Sequence, residues 1–302
     1  MINVIGKKYI FLNFSGLIMA ASILAIYFFG LQQGIDFKGG SLWQIRFEDD
    51  GISSDVVNSI FKNKLKIEDV SIVSEVSTKS FLVRLKELSE VDHQKYLLDL
   101  NAISKVEELK FESLGPAIGN ELRQKAVWAF IFVLLGISLY VAFAFRKVSY
   151  PVSSWKYGLI TLVTLFHDAI IPTGLFAVLG YFLGIEIDTN FVVAILVVMG
   201  FSVHDTIVVF DRIRENLRLE RNSKFDFSFL VNKSVNETMA RSINTSLTLV
   251  LVLLALYVFG SSSLSYFILT MLVGTVFGTY SSIFVASPLL TLFPNSDYNI
   301  RR

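Results

Sequence analysis

The charged residues of this chain leave long gaps, and the gaps constrain the fold more than any other feature. Tyr9 to Ile35 and Ala126 to Phe145 contain no charged side chain. Tyr157 to Ile185 is interrupted only by His167 and Asp168, and Thr189 to Phe210 only by His204 and Asp205. Ser242 to Ser296 then runs for 55 residues without a charge. A helix needs about 20 apolar residues to cross a bilayer, so the first four stretches each supply one span. The last is too long for one crossing, and Gly260-Ser-Ser-Ser263 supplies a turn that makes it two. Six spans are therefore expected. Composition agrees, because 53% hydrophobic residues with only 18% charged ones does not suit an ordinary soluble chain. Cysteine is absent, which excludes disulfides and thiolate metal sites.

Lysine and arginine set the orientation. Lys7 and Lys8, then Arg146, Lys147 and Lys156, then the basic residues from Arg212 to Arg241, then Arg301 and Arg302 fall on one side of a six-span path. The short opposite loops, Ile185 to Asp188 and Gly260 to Ser263, carry no basic residue. The positive-inside rule places both termini in the cytoplasm and the segment between the first two spans outside it. The first span is longer than a signal-peptide apolar region and reads as an uncleaved anchor. The expected organisation is residues 1–35 as N-terminal end and first span, 36–121 as an extracytoplasmic α+β domain, and 122–302 as a five-span membrane domain with a cytoplasmic loop at 211–241.

The outside segment has the polarity of a folded soluble domain. Ser41 to Phe47 alternates as a strand, and Ser53 or Ser54 caps a helix whose Val56, Val57, Ile60 and Phe61 share a face. Val70 to Val76 and Ser80 to Leu85 read as strands joined by a polar turn at Ser77 to Lys79. Val91 to Ile103 has a helical period, and Lys105 to Glu112 closes as a strand. The order βαββαβ predicts a ferredoxin-like sandwich. Acidic residues outnumber basic ones here, so no nucleic-acid surface is expected. His93 is expected to be a solvated helix residue.

Asp205 and Asp168 are the costly residues. A carboxylate inside a span costs about 3 kcal/mol on insertion scales and usually faces a partner, a cavity or a proton path. If the fourth span begins at Thr189, Asp205 lies about 24 Å along it, in the cytoplasmic half. Arg241 opens the antiparallel fifth span on the same side, and Asn244, Thr245 and Thr248 follow it at helical spacing as a polar stripe. Arg241 is expected to be the counter-charge of Asp205; a cation snorkelling at a cytoplasmic helix end is the other reading. His204, beside Asp205, is a candidate relay although its side chain leaves the helix about 100° away. Asp168 is a second candidate proton carrier, or else a fixed polar contact between helices. Asp211, Arg212, Arg214 and Glu215 read as a solvated helix end. His93, His167 and His204 lie in three separate segments without metal-ligand spacing, and Gly34 to Gly40 is neither type of phosphate-binding loop, so no metal, cofactor or ATP site is expected.

Five motifs in register carry a resemblance. Gly34-Ile-Asp-Phe-Lys-Gly-Gly40, Leu114-Gly-Pro-Ala-Ile-Gly119, Phe166-His-Asp168, Asp205-Thr-Ile-Val-Val-Phe-Asp-Arg-Ile-Arg-Glu-Asn216 and Ser234 to Ser246 together resemble the SecF family of protein-export membrane subunits. The resemblance implies six helices forming one RND-type half, multi-pass in the bacterial cytoplasmic membrane. It implies pairing with SecD, contact with the SecYEG channel, with YajC and with exported preproteins, and use of the proton-motive force rather than an enzymatic reaction. It also marks Gly34, Asp36, Gly39, Gly40, Gly115 and Pro116 as motif positions, and Asp205 and Arg241 as the proton-coupling pair. An RND-type small-molecule antiporter half and a passive scaffold of the channel are the competing readings. An intramembrane aspartyl protease built on Asp168 and Asp205 is disfavoured by Gly-Phe-Ser-Val-His before Asp205.

Overall fold

The computed structural model describes residues 1–48, 52–67, 70–75, 79–146, 151–220, 226–261 and 264–294. Lys147, Arg221, Lys224, Arg301 and Arg302 of the basic set lie outside the described residues, as do Val76, Ser77, Ser262 and Ser263 of the predicted strand and turns. The chain divides into two compact units, one of residues 1–32 and 128–302, the other of residues 33–127.

Six helices have the length and hydropathy to cross a membrane; five lie in the first unit, and the one at Pro116–Ala144 begins in the second unit and continues into the first. They are α1 (Lys8–Phe29), α5 (Pro116–Ala144), α6 (Ser154–Leu183), α7 (Thr189–Leu219), α8 (Phe227–Phe259) and the pair α9 (Ser265–Ser281) and α10 (Ser287–Leu292), joined by a π-helical turn at Ser282–Ala286. The first span is shorter than its charge-free stretch. Gly30 ends α1 at φ 69°, and Gly34 precedes a separate turn of helix, α2 (Ile35–Lys38). Hydropathy marks what is apolar, whereas glycines in special conformations decide where the helix stops.

α6, α7 and the α9–α10 pair are each about half buried, whereas α1, α5 and α8 are mostly exposed. α7 and α9 cross where α9 is thinnest: a Cβ added at Gly278 would stand 2.9 Å from Cβ of Ser202. Small residues let spans approach closely, which brings short hydroxyl side chains within reach of the neighbouring helix. One end of the bundle closes on an apolar cluster of Val4, Ile5, Phe145, Tyr157, Phe210 and Ile213 with their neighbours. Phe145 stacks on Tyr157 at 5.1 Å, and Phe210 meets both edge-on. The N-terminal segment, which ends in a 3-10 turn at Ile5–Lys7, is fastened there by α8: Asn232 Oδ1 accepts from the amides of Val4 and Ile5, and Asn236 Oδ1 from that of Ile2.

The second unit holds a four-stranded antiparallel sheet in the order β2-β3-β1-β4. Its strands are β1 (Gly40–Phe47), β2 (Ser71–Glu75), β3 (Ser80–Leu85) and β4 (Val106–Leu114), with α3 (Ser54–Ser59) after β1 and α4 (Glu90–Asn101) after β3. This is the βαββαβ order expected, with β1 and β3 central. The buried alternation Trp43, Ile45, Phe47 and Phe81, Val83, Leu85 makes one face of the sheet. Val57, Ile60, Phe61, Leu65 and Leu100 from the helical segments close over it. Val56, placed on the same face by the sequence reading, is exposed. The segment after α3 widens into a π-helical turn at Ile60–Lys64, which shifts the 3.6-residue period on which that expectation rested.

His93 is not solvated. It is 2% exposed, stacks on Phe111 at 3.6 Å and meets Glu108 through Nε2 at 2.6 Å. Trp43 Nε1 donates to the same Glu108 oxygen at 2.8 Å. The polar residues of α4 hid a position that the sheet covers. On the exposed side of α4, a hydrogen bond from the Gln94 amide holds the Glu90 carboxyl below its ordinary value.

Candidate functional site

The motif glycines serve backbone geometry within the second unit. Gly39 caps α2 at φ 77°, ψ 168°, a conformation essentially restricted to glycine. A Cβ there would lie 2.7 Å from the N and Cα of Pro116, the first residue of α5. Gly40 has φ 127°, and its Cβ would meet the Leu85 carbonyl oxygen at 2.7 Å. Gly34 accepts the amides of Phe37 and Lys38 into its carbonyl, Asp36 sits in the first turn of α2, and the Gly115 carbonyl accepts the Gly119 amide. The two motifs around Gly39 and Pro116 thus form one backbone contact.

In the helical unit, Asp205 on α7 is 2% exposed. Its carboxylate accepts a long hydrogen bond, 3.3 Å, from Ser246 Oγ of α8. Ser246 has a single hydroxyl proton, and the Ser242 carbonyl at 2.8 Å competes for it. Thr279 Oγ1 of α9 lies 2.5 Å from the same hydroxyl. His204 is the neighbouring cationic candidate: its Nδ1 stands 3.9 Å from Asp205, but its side chain is 68% exposed.

Arg241 does not pair with Asp205 in this chain. Among the described residues no ion pair joins them, and Arg241 is exposed. Asn244, Thr245 and Thr248, the expected stripe into the bundle, are exposed as well. The buried stripe of α8 is Ser234, Thr238, Ser242 and Ser246, one residue out of phase. A step of one residue turns a helix by about 100°, enough to move Arg241 from the bundle to the outer face.

Asp168 on α6 is fully buried and far better satisfied. Its Oδ2 accepts hydrogen bonds from Ser202 Oγ of α7 and, at 2.8 Å, Ser281 Oγ of α9, while Oδ1 faces His167 Nδ1 at 2.8 Å. Thr206 and Ser282 join α7 to the start of the π-helical turn after α9, at 2.8 Å. The two carboxylates therefore have separate hydrogen-bond sets on a shared helix, Thr279 serving the Asp205 set and Ser281 contacting Asp168. Ser202, Ser246, Thr279 and Ser281 were missed in the sequence. The four-residue spacing of Ser234, Thr238, Ser242 and Ser246 was the available signal.

The solvated end expected at Asp211 to Glu215 is partly a junction. Arg212 Nε donates to Glu237 of α8 at 2.7 Å, and Asn216 Nδ2 donates to Ser234 Oγ and to Glu237. Among the described residues no three His, Asp or Glu side chains converge to hold a metal ion.

Comparison with known proteins matches this arrangement. The SecD/SecF C-terminal family of protein-export membrane proteins covers residues 94–296, and the SecD/SecF GG motif covers residues 24–50, which contain Gly39 and Gly40. The protein translocase subunit SecF of Thermobaculum terrenum is 42% identical across 99% of this chain and 96% of its own length. That of Anaerolinea thermophila is 35% identical, with 99% and 96% covered. Among solved structures, SecDF of Thermus thermophilus, described as a translocon-associated membrane protein, superposes with a TM-score of 0.83 at 33% identity over 96% of this chain. A second SecDF structure, in a super-membrane-facing form, gives 0.68 at 32% identity over 99% of this chain. The chain spans 38% and 39% of those two SecDF chains. Residues 94–296 and full-length identity of up to 42% agree, and the chain belongs to the SecF family of protein translocase subunits.

Proposed function

We propose that this SecF-family subunit works with a SecD partner to drive protein export through the SecYEG channel at the expense of the proton gradient, with Asp205 as the proton-binding switch. The carrying observation is that Asp205 is buried within a span while, among the described residues, it receives one shared hydroxyl and no close-paired arginine. A carboxylate so poorly compensated favours one arrangement of helices when ionised and another when neutral. Moving one charge across 100 mV supplies about 2.3 kcal/mol, enough to bias such a pair of states.

Partner dependence is supported by α8. Arg241, Asn244, Thr245 and Thr248 form a polar exposed face on a helix long and apolar enough to span. Polar side chains at such depth face protein or water, not lipid. We assign that face to SecD, with Arg241 offering its charge to the partner half rather than to Asp205. Both termini are placed in the cytoplasm, with contacts to SecYEG, YajC and preproteins belonging to the assembled complex. The test is Asp205→Asn in vesicles holding SecD and the channel, scoring completed export with and without a proton gradient. The gradient-stimulated part of export disappears if the reading is right. Gradient stimulation that survives the substitution refutes it and leaves a passive scaffold.

A further inference from the structure

His167 is an intramembrane titratable group that the proposed switch does not use, and its surroundings are unusual. The side chain is 3% exposed. Nδ1 is engaged by Asp168, whereas Nε2 is buried with no hydrogen-bond partner among the described residues. The partner of one imidazole nitrogen fixes the state of the other. Oδ2 of Asp168 already accepts from Ser202 and Ser281, and Oδ1 faces Nδ1. An ionised carboxylate has acceptor capacity only, so it places a proton on Nδ1. Nε2 is then left as a bare lone pair in the interior of the helical bundle.

We propose that Nε2 of His167 is a second intramembrane proton-binding atom, with Asp168 as its fixed counter-charge and Ser202 and Ser281 as positioning residues. The inference rests on the proton-driven reading of the chain. A proton arriving at Nε2 forms an N–H bond and breaks none, and the His167–Asp168 pair passes from one net negative charge to none. The new N–H has no acceptor in the present arrangement. An unsatisfied buried donor is costly, so proton loading favours a shifted arrangement in which an acceptor is supplied. Two irregularities in the helices make the site suited to such a shift. Pro172 withholds the amide that would bond the Asp168 carbonyl in α6, and the π-helical turn of Ser282–Ala286 begins directly after Ser281.

Among the described residues no competing charge adjoins the pair. On α7, Asp205 faces Ser246, and His204 is exposed. On α9, Phe277 packs against the imidazole at 6.5 Å, and the Tyr280 hydroxyl donates to the Phe11 carbonyl of α1. α1 contributes no charged side chain between Tyr9 and Phe29.

The chain contains three histidines, which allows a direct test. The full-length protein, labelled with ¹⁵N-histidine and reconstituted with SecD in lipid nanodiscs, is titrated by NMR, with His93→Gln and His204→Gln used to assign the signals. His167 Nδ1 is expected to stay protonated throughout, while Nε2 passes from bare to protonated as the pH falls through the range in which a gradient drives export. An Nε2 that keeps one state across that range overturns the proposal. In export vesicles, His167→Asn keeps an amide donor for Asp168 but removes Nε2. It is expected to lose gradient-stimulated export and to keep export measured without a gradient. Full gradient stimulation in His167→Asn also overturns the proposal. Asp205→Asn separates the two readings, because it is expected to leave the His167 titration in place. A titrating His167 with a harmless Asp205→Asn would sink the Asp205 switch alone, and the reverse pattern would sink the His167 site alone.

Discussion

Gly39→Ala should destabilise the second unit by a large fraction of its stability. Gly39 occupies φ 77°, ψ 168°, where a side chain costs about 1–3 kcal/mol. The added Cβ would also stand 2.7 Å from the backbone of Pro116. Backbone cannot rotate away as a side chain can, and overpacking of this kind costs a further 1–3 kcal/mol, roughly. The combined loss is about 2–6 kcal/mol, against a total stability of about 5–15 kcal/mol for a typical domain. Trp43 is fully buried in the core of that unit and reports its unfolding. Trp128 and Trp155 are exposed, so changing both to Phe leaves a single clean fluorophore. With a urea slope of about 2 kcal/mol per molar, the midpoint of the Trp43 transition should fall by at least about 1 M. Gly115→Ala is the matched control from the same pair of motifs. Its φ is not positive, and its Cβ would meet only the end of the exposed Glu87 side chain, at 3.2 Å. That substitution should be neutral or stabilise by up to about 1 kcal/mol through the unfolded chain. Equal midpoints for Gly39→Ala and Gly115→Ala would refute the geometric explanation of the motif.

Two further outcomes follow from the packing. Glu108→Ala removes the acceptor of both Trp43 Nε1 and His93 and should destabilise the second unit by about 2–5 kcal/mol, with Glu108→Gln losing less because it keeps an acceptor oxygen; the same fluorescence transition measures it, and a loss under about 0.5 kcal/mol for Glu108→Ala counts against the buried cluster. The chain has no native cysteine, so single cysteines on α8 can be cross-linked cleanly to cysteines placed along SecD. Asn244→Cys and Thr248→Cys should cross-link and Ser242→Cys should not, and the opposite pattern would move the partner face.

Gradient-driven export should therefore respond to two separated residues, Asp205 and His167, in different ways. Asp205 is under-satisfied, with one contested hydroxyl, and its protonation removes a buried charge outright. Asp168 is held by three groups on three helices, which fixes its carboxylate beside the imidazole of its neighbour. The contrast explains why two aspartates that look alike in sequence are given different roles.

Much of the architecture was legible because it follows from local chemistry. A charge-free run of sufficient length must cross the membrane or be buried whole, and the six spans follow from that. Alternation in Ser41 to Phe47 and Ser80 to Leu85 fixed which side chains enter the core of the second unit, since successive strand residues point to opposite faces. The motif spacing was enough to identify the family. Helix ends were less legible, because Gly30 stops α1 by conformation rather than by polarity. Rotational phase was not legible either. Arg241 and Ser242 are adjacent in sequence and both polar, yet only Ser242 faces the bundle.

The amino-acid sequence alone determined that this chain spans a membrane six times, carries a βαββαβ insertion and bears two carboxylates where carboxylates are costly. Only the tertiary structure decided who serves them. Asp205 received Ser246 and not Arg241, Asp168 received Ser202, Ser281 and His167, and His93 went into a core instead of solvent. The physical reason is that hydropathy and periodicity are properties of single segments. Which face of one helix meets which face of another depends on close approach at small residues such as Gly278, and on 100° steps that no single segment records.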